Sequence, residues 1–218
     1  LRTNLQFVGV DSAESVFTVT SCLPGEGKST IAANLAIALA HAGQSVVLVD
    51  ADLRRPRLDQ LFDLSRSPGL TTALVGAADL AQAVRETSIP GLNILTTGKL
   101  PPNPSELLQT NAMADLVDTL KGQYDVVLFD APPLLPVADA AVLATHSDGA
   151  ILLVRHGRTT TEQVRTAVGR LDAVGGTLLG AVLTMIPARG ISRYGYGYAY
   201  GEGPRRPAAQ VAGRRAKT

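Results

Sequence analysis

The sequence predicts an α/β fold, a mostly parallel sheet with helices on both faces, and three observations carry that expectation. Short apolar runs that read as strands alternate with longer helical stretches. Several of the runs, SVVLVDAD and YDVVLFDAPP among them, are continuously apolar, as strands buried on both faces must be. A glycine-rich turn joins the first strand to the first helix, the beginning of a βαβ unit. The composition agrees, since 218 residues with 45% hydrophobic and 18% charged side chains suit one sizeable core plus a tail.

Along the chain, SVFTVTS (Ser15 to Ser21) is a β-rich run. STIAANLAIALAHAG, alanine-rich and free of internal Gly or Pro, reads as a helix stopped at Gly43. SVVLVDAD is the next strand, and LNILTTG, YDVVLFDAPP, GAILLVRHG and TLLGAVLTMI are further ones. PSELLQTNAMADLVDTLKG and TTEQVRTAVGRLDAVGG read as helical between them; the first opens on a proline with an acid in its first turn, a good helix N-terminus. Residues 1–188 form the expected domain. Residues 189–218 are rich in Gly, Pro, Arg and Tyr, lack an apolar period, and read as a flexible tail. Seven Lys/Arg against Glu202 give that tail a charge of +6, which leaves −5 on the rest.

Some function classes are disfavoured at once. A formal net charge of +1 offers no global basic signature for nucleic acid. The single cysteine, Cys22, forms no internal disulfide and suggests a reducing compartment. His41, His146 and His156 show no metal-ligand spacing. No apolar run approaches the ~20 residues that span a bilayer. The chain opens at Leu1 without a Met and is read as a piece of something longer, with room for a membrane segment in the missing part.

The chemistry is expected in TSCLPGEGKST, Thr20 to Thr30. Main-chain N–H groups turned toward phosphates at a helix N-terminus need glycines for close approach, here Gly25 and Gly27, with Pro24 presetting part of the turn and Glu26 between them. Lys28 reaches outer phosphates and Ser29, followed by Thr30, offers a hydroxyl to Mg²⁺. Cys22 stands where the usual motif has its first glycine, which alters the text of the pattern and not its physics. The strand–loop–helix setting makes this a P-loop NTPase-type fold with a nucleotide site. Asp50, Asp52 and Asp130 end two apolar strands, where ligands bind in open α/β sheets, and an apolar strand ending in Asp is a recurring Mg²⁺ device. A cap of a turn or helix is the lesser reading of each alone, and three carboxylates at strand ends beside this loop weaken it further. Arg54, Arg55 and Arg57 either face the phosphates or form a solvated run, and Tyr124 begins a strand and reads as structural. The ladder Tyr194, Tyr196, Tyr198 and Tyr200, spaced by small residues, is either an unordered Gly/Tyr segment or a substrate tail.

The set LPGEGKST, VLVDADLRRP, LPPNPSELL, YDVVLFDAPP and RYGYGYAYG closely resembles the bacterial tyrosine kinases of capsule and exopolysaccharide assembly, over roughly residues 1 to 200 and in the same motif order. That resemblance implies an ATP-dependent protein-tyrosine autokinase. It gives the nucleotide–Mg²⁺ and catalytic roles to Lys28, Ser29 or Thr30, Asp50, Asp52 and Asp130, and phosphorylation to the four tail tyrosines. Asp50 is taken as acceptor of the tyrosine proton, with Asp52 as the other choice. It further implies a homo-oligomer in which one subunit's tail enters another's site. The expected partner is a membrane-embedded polysaccharide chain-length regulator, fused upstream or separate, at the cytoplasmic face of the inner membrane. By the same resemblance Arg2 matches the last arginine of the family's ring-assembly element, whose earlier Glu and Arg are absent from this sequence. Related partition and division-site ATPases carry an extra loop lysine where this chain has Leu23, and often a base-reading Asn where it has Thr184. The alternatives are a non-kinase P-loop ATPase switch that binds partners according to nucleotide state, and a regulatory scaffold with a degenerate site.

Overall fold

The computed structural model describes residues 1–3, 5 and 15–187. The chain divides into a compact unit, Leu1–Met185, and a second unit, Ile186–Thr218. The four tail tyrosines lie outside the described residues. Among the described residues no helix is long and apolar enough to cross a membrane.

The first unit is built on a seven-stranded sheet in the order β3-β4-β2-β5-β1-β6-β7. Its strands are β1 (Ser15–Ser21), β2 (Val46–Asp50), β3 (Val84–Glu86), β4 (Leu92–Leu95), β5 (Val126–Asp130), β6 (Gly149–Arg155) and β7 (Leu178–Thr184). All neighbours run parallel except the short edge strand β3, which pairs antiparallel with β4. The continuous apolar runs are the central strands: every residue of β2 and of β5 is buried. Their side chains alternate between two cores. Val47, Val49, Val127 and Phe129 enter one, and Val46, Leu48, Val126 and Leu128 enter the other.

Helix α1 (Lys28–Ala40) covers one face with Ala32, Leu35, Ala36 and Leu39. Short α2 (Leu58–Leu61) follows β2, with α3 (Leu70–Leu74) and α4 (Leu80–Ala83) before β3. The other face is covered by α6 (Asn111–Lys121), α7 (Asp139–Thr145) and α8 (Thr161–Asp172), through residues such as Met113, Leu120, Leu143 and Leu171. The stretch expected to be helical from Pro104 is two helices, α5 (Pro104–Leu108) and α6. Thr110 leaves helical geometry at φ −73°, ψ 155°, and its hydroxyl donates to Leu107 O at 2.8 Å, so the freed carbonyl keeps a partner. Helix α8 starts on a reciprocal cap: Gln163 N–H donates to Thr160 Oγ1, while the Gln163 side chain accepts from Thr160 N–H.

One close approach is specified by glycine. A Cβ on Gly69 would lie 2.3 Å from Thr96 O and 2.4 Å from Gly98 N, both main chain, where the start of α3 docks on the end of β4. Gly69→Ala is expected to cost about 1–3 kcal/mol as a small-to-large change in a filled space. Urea denaturation reads this directly, and an unchanged midpoint would refute the close approach.

Candidate active site

The strand register builds the site. Asp50 and Asp130 are direct neighbours across β2 and β5, and Val19 of β1 pairs with Asp130, so three C-terminal strand ends meet at one place. The loop after β1 runs to Gly27, the N-cap of α1. Gly25 (φ 79°) and Gly27 (φ 94°) occupy the left-handed region, which a side chain would strain. The first helical hydrogen bond, Ile31 N–H to Gly27 O at 2.9 Å, leaves the N–H groups of Lys28, Ser29 and Thr30 outside the ladder at the positive end of the helix.

The loop is braced from behind. Glu26 is fully buried, accepting from Leu23 N–H at 3.1 Å and from the Thr159 hydroxyl. Thr184 donates to Glu26 O at 3.0 Å, and Arg155 Nη1 to Gly25 O at 3.2 Å. The carboxylate of Glu26, expected among the nucleotide-binding residues, is therefore turned into the protein, and only its main chain is left for a ligand. Thr184, the place of a base-reading Asn in related ATPases, is occupied in holding the loop. Burial, then the nearby Glu26 charge, pushes the Cys22 thiol up to about 11, so it stays protonated as an inert small residue.

The three aspartates differ. Asp52 lines the cleft: its Oδ2 lies 3.4 Å from Lys28 Nζ, while its Oδ1 accepts from Arg55 N–H at 3.0 Å. Asp50 lies behind it, fully buried, with Oδ2 accepting from Arg57 and Leu58 N–H at 2.9 Å each and Oδ1 without a partner among the described residues. It braces the start of α2 and, like Asp130, lies beneath the residues that line the cleft. Burial pushes its pKa up to about 6 against the pull of those two N–H groups. Asp130 is also fully buried, and neither carboxylate oxygen has a hydrogen-bond partner among the described residues. Burial, then the Asp50 charge, raises it to about 7; Lys28 opposes this, and Ser29 does so from outside hydrogen-bond geometry. Among the described residues no three carboxylates, imidazoles or thiols converge as a ready metal cage.

A cleft of about 520 Å³ opens above these groups. One wall is Pro24, Gly25, Gly27, Lys28, Ser29 and Thr30; the other carries Arg54, Arg55, Arg57 and the apolar Leu61, Pro132 and Val137. The arginine run therefore faces the cleft. Arg54 is held edge-on by Asp139, with Nε to Oδ2 at 2.8 Å and Nη2 to Oδ1 at 3.2 Å. Asp139, fully buried, also accepts from the Ser105 hydroxyl.

The AAA domain family matches residues 16–175. Tyrosine-protein kinase YwqD of Bacillus subtilis is 42% identical over 196 residues, covering 90% of this chain and 83% of that protein. The chain belongs to the bacterial tyrosine-protein kinase family. Tyrosine-protein kinase etk of Escherichia coli K12 is 35% identical over 90% of this chain, which spans 27% of that longer protein. The solved kinase domain of Escherichia coli ETK superposes with a TM-score of 0.83 at 31% identity, covering 98% of this chain and 77% of that one. Kinship of this degree favours the kinase reading over the partner-binding switch.

Sequence reasoning missed three parts of this kinase site. Asp139 sits in VADAAVLAT, Ser105 in PPNPSELL, and Thr159 in a loop; each meets its partner across 34 or more residues. No local signal announces such pairs. Tyr124 is structural as expected, its hydroxyl accepting from Asn93 Nδ2 at 2.8 Å.

Proposed function

We propose that this kinase is an ATP- and Mg²⁺-dependent tyrosine autokinase that controls polymerisation or export of an exopolysaccharide or capsule. The observation that carries the site assignment is Asp130. Two buried carboxylate oxygens beside Lys28 and Ser29, without a hydrogen-bond partner among the described residues, suit a hard divalent cation. Mg²⁺ needs only one or two carboxylates, because water and phosphate fill its remaining positions. Asp130, the Ser29 hydroxyl and Asp52 would hold it, partly through water. The bound Mg²⁺–nucleotide supplies the phosphoryl group and the neutralising charge.

The chain's own groups do the rest. Main-chain N–H groups from Gly25 to Thr30 and the Lys28 ammonium hold the phosphates. In exchanging Asp52 for phosphate, Lys28 frees a carboxylate on the cleft wall, and Asp52 then holds the proton that leaves the tyrosine hydroxyl. Asp50 keeps the turn carrying Asp52 in place. The acceptors are Tyr194, Tyr196, Tyr198 and Tyr200 in the tail of residues 189–218, presented by another subunit of a homo-oligomer. The assembly works at the cytoplasmic face of the inner membrane, with a membrane-embedded chain-length regulator fused upstream or separate.

Incubation with Mg²⁺–ATP and phosphosite mapping by mass spectrometry tests the reading, with phosphate expected on the four tail tyrosines. ATP turnover without phosphotyrosine would return the switch ATPase. Mixing a Lys28→Met chain with an active chain whose four tail tyrosines are Phe separates the routes. Phosphate on the Lys28→Met chain is the expected result, and none there while wild type modifies itself would refute transfer between subunits.

A further inference from the structure

We infer that Asp139 and Ser105 are positioning residues for phosphoryl transfer: they fix the Arg54 guanidinium at the cleft wall so that its free edge meets the charge on the group moved to tyrosine. The inference rests on the kinase reading above and adds to it a cation that the phosphate loop does not contain.

Three separate elements converge on this arginine. Arg54 lies in the turn after β2, Ser105 is the second residue of α5, and Asp139 is the first of α7. Both oxygens of Asp139 are committed, Oδ2 to Nε and Oδ1 to Nη2 and the Ser105 hydroxyl. Nη2 also lies 3.4 Å from Ser105 Oγ. Two parallel bonds to one edge of a planar guanidinium fix its plane as well as its place. Burial alone would push Asp139 up; hydrogen bonds from Arg54 and Ser105 hold it below the usual carboxylate range.

A fully buried carboxylate is weak evidence of stabilisation, because desolvation offsets the attraction. Arg54 is 41% exposed, so water screens the pair further. What the arrangement does secure is geometry. Nη1 makes no hydrogen bond to protein among the described residues, and Arg54 lines the same cleft as Lys28 and Ser29. The turn serves both charges of the site, since Arg54 N–H at 3.4 Å and Arg55 N–H at 3.0 Å donate to Asp52 Oδ1. Arg55 and Arg57 also line the cleft, yet neither guanidinium is held by a carboxylate among the described residues. A fixed cation needs no reorganisation when charge develops, and a free one does. Arg54 is thus the arginine suited to transfer.

The test compares Arg54→Gln, Asp139→Asn, Ser105→Ala and Arg54→Gln/Asp139→Asn in the full chain. The readouts are the rate of tail-tyrosine phosphorylation at saturating Mg²⁺–ATP and the affinity for Mg²⁺–ADP. Arg54→Gln and Asp139→Asn are each expected to slow transfer ~10²-fold, with ADP affinity within about threefold of wild type. Ser105→Ala slows it several-fold and Ser105→Thr restores it. Because Asp139 acts through Arg54, the double variant is no slower than Arg54→Gln. Wild-type rate in Arg54→Gln overturns the inference, as does an Asp139→Asn loss that persists undiminished beside Arg54→Gln, or an affinity that falls in step with rate. If Asp139→Asn does not fold, the same cycle is run with the half-buried Ser105 and judged by the same criterion. A wild-type chain that places no phosphate on tyrosine refutes the kinase reading itself, whereas active wild type with an equally active Arg54→Gln refutes this inference alone.

Discussion

Replacing Lys28 by Met is expected to slow tyrosine phosphorylation by ~10³-fold or more while the protein stays folded. Lys28 is the one lysine of the loop, and Leu23, where related ATPases have another, packs against the apolar core. Arg155, the other cation at the loop, is engaged with Gly25 O from its outer side. Arg54, Arg55 and Arg57 line the cleft from the turn after β2 and do not stand in the loop, so none takes the place of its ammonium. The structural cost is small by comparison. The Lys28 side chain is 11% exposed and its ion pair with Asp52 spans 3.4 Å, so Met keeps most of the apolar stem. Asp52 retains its main-chain bond at Oδ1, and the loss in stability should be about 1–2 kcal/mol. The rate is measured on a sample whose circular dichroism and melting match wild type. A folded variant within tenfold of the wild-type rate would remove Lys28 from the mechanism.

The parts of this molecule that were legible in the sequence are those governed by local physics. The SVFTVTS run is β1 to the residue, and the continuous apolar runs are the doubly buried strands, because burial on two faces requires apolar residues at every position. The glycines of the loop were legible for the same reason: φ values of 79° and 94° are a demand on single residues. Short elements were not. α2, α3 and α4 have four or five residues each, too few for a helical period to show, and β3 has three. The roles of charged residues were the least legible. Asp50 and Asp52 look alike in DAD, but the turn after β2 folds two N–H groups onto Asp50 and leaves Asp52 at the wall. Glu26 looks like a loop carboxylate and is buried by Thr159, 133 residues away. Arg54 was as plausible on a solvated surface as at a phosphate, and the choice was made by Asp139, 85 residues on. Periodicity reports which face a residue takes; it says nothing of what stands opposite.

Asp130→Asn should leave the kinase almost inactive and, in metal-free protein, make it lose less stability than wild type as pH rises. The Asp130 carboxyl is raised from 3.8 to about 7. A carboxyl whose folded pKa lies above its unfolded one binds more protons in the folded state between those values. Stability therefore falls as pH rises from about 4 to about 7 and is flat above that window. For a shift of this size the loss is on the order of 4 kcal/mol. Asn carries no such penalty. Asp50, pushed up to about 6 by burial and then by the Asp52 and Asp59 charges, keeps its own slope in both proteins, so the variant's slope is smaller and not absent. An amide left unpaired in the same buried place costs about 1–3 kcal/mol at every pH, which is why the comparison is between pH values rather than between proteins at one pH. In EDTA, wild type should lose several degrees of melting temperature, on the order of 10 °C, between about pH 4.5 and pH 8, and Asp130→Asn less. Mg²⁺–ADP should return that loss to wild type at pH 8, because a cation on the carboxylate stabilises the charged form, and should return little to the variant. Equal pH slopes for the two proteins in EDTA, or equal stabilisation by Mg²⁺–ADP at pH 8, would show that Asp130 neither carries a buried charge nor meets the metal.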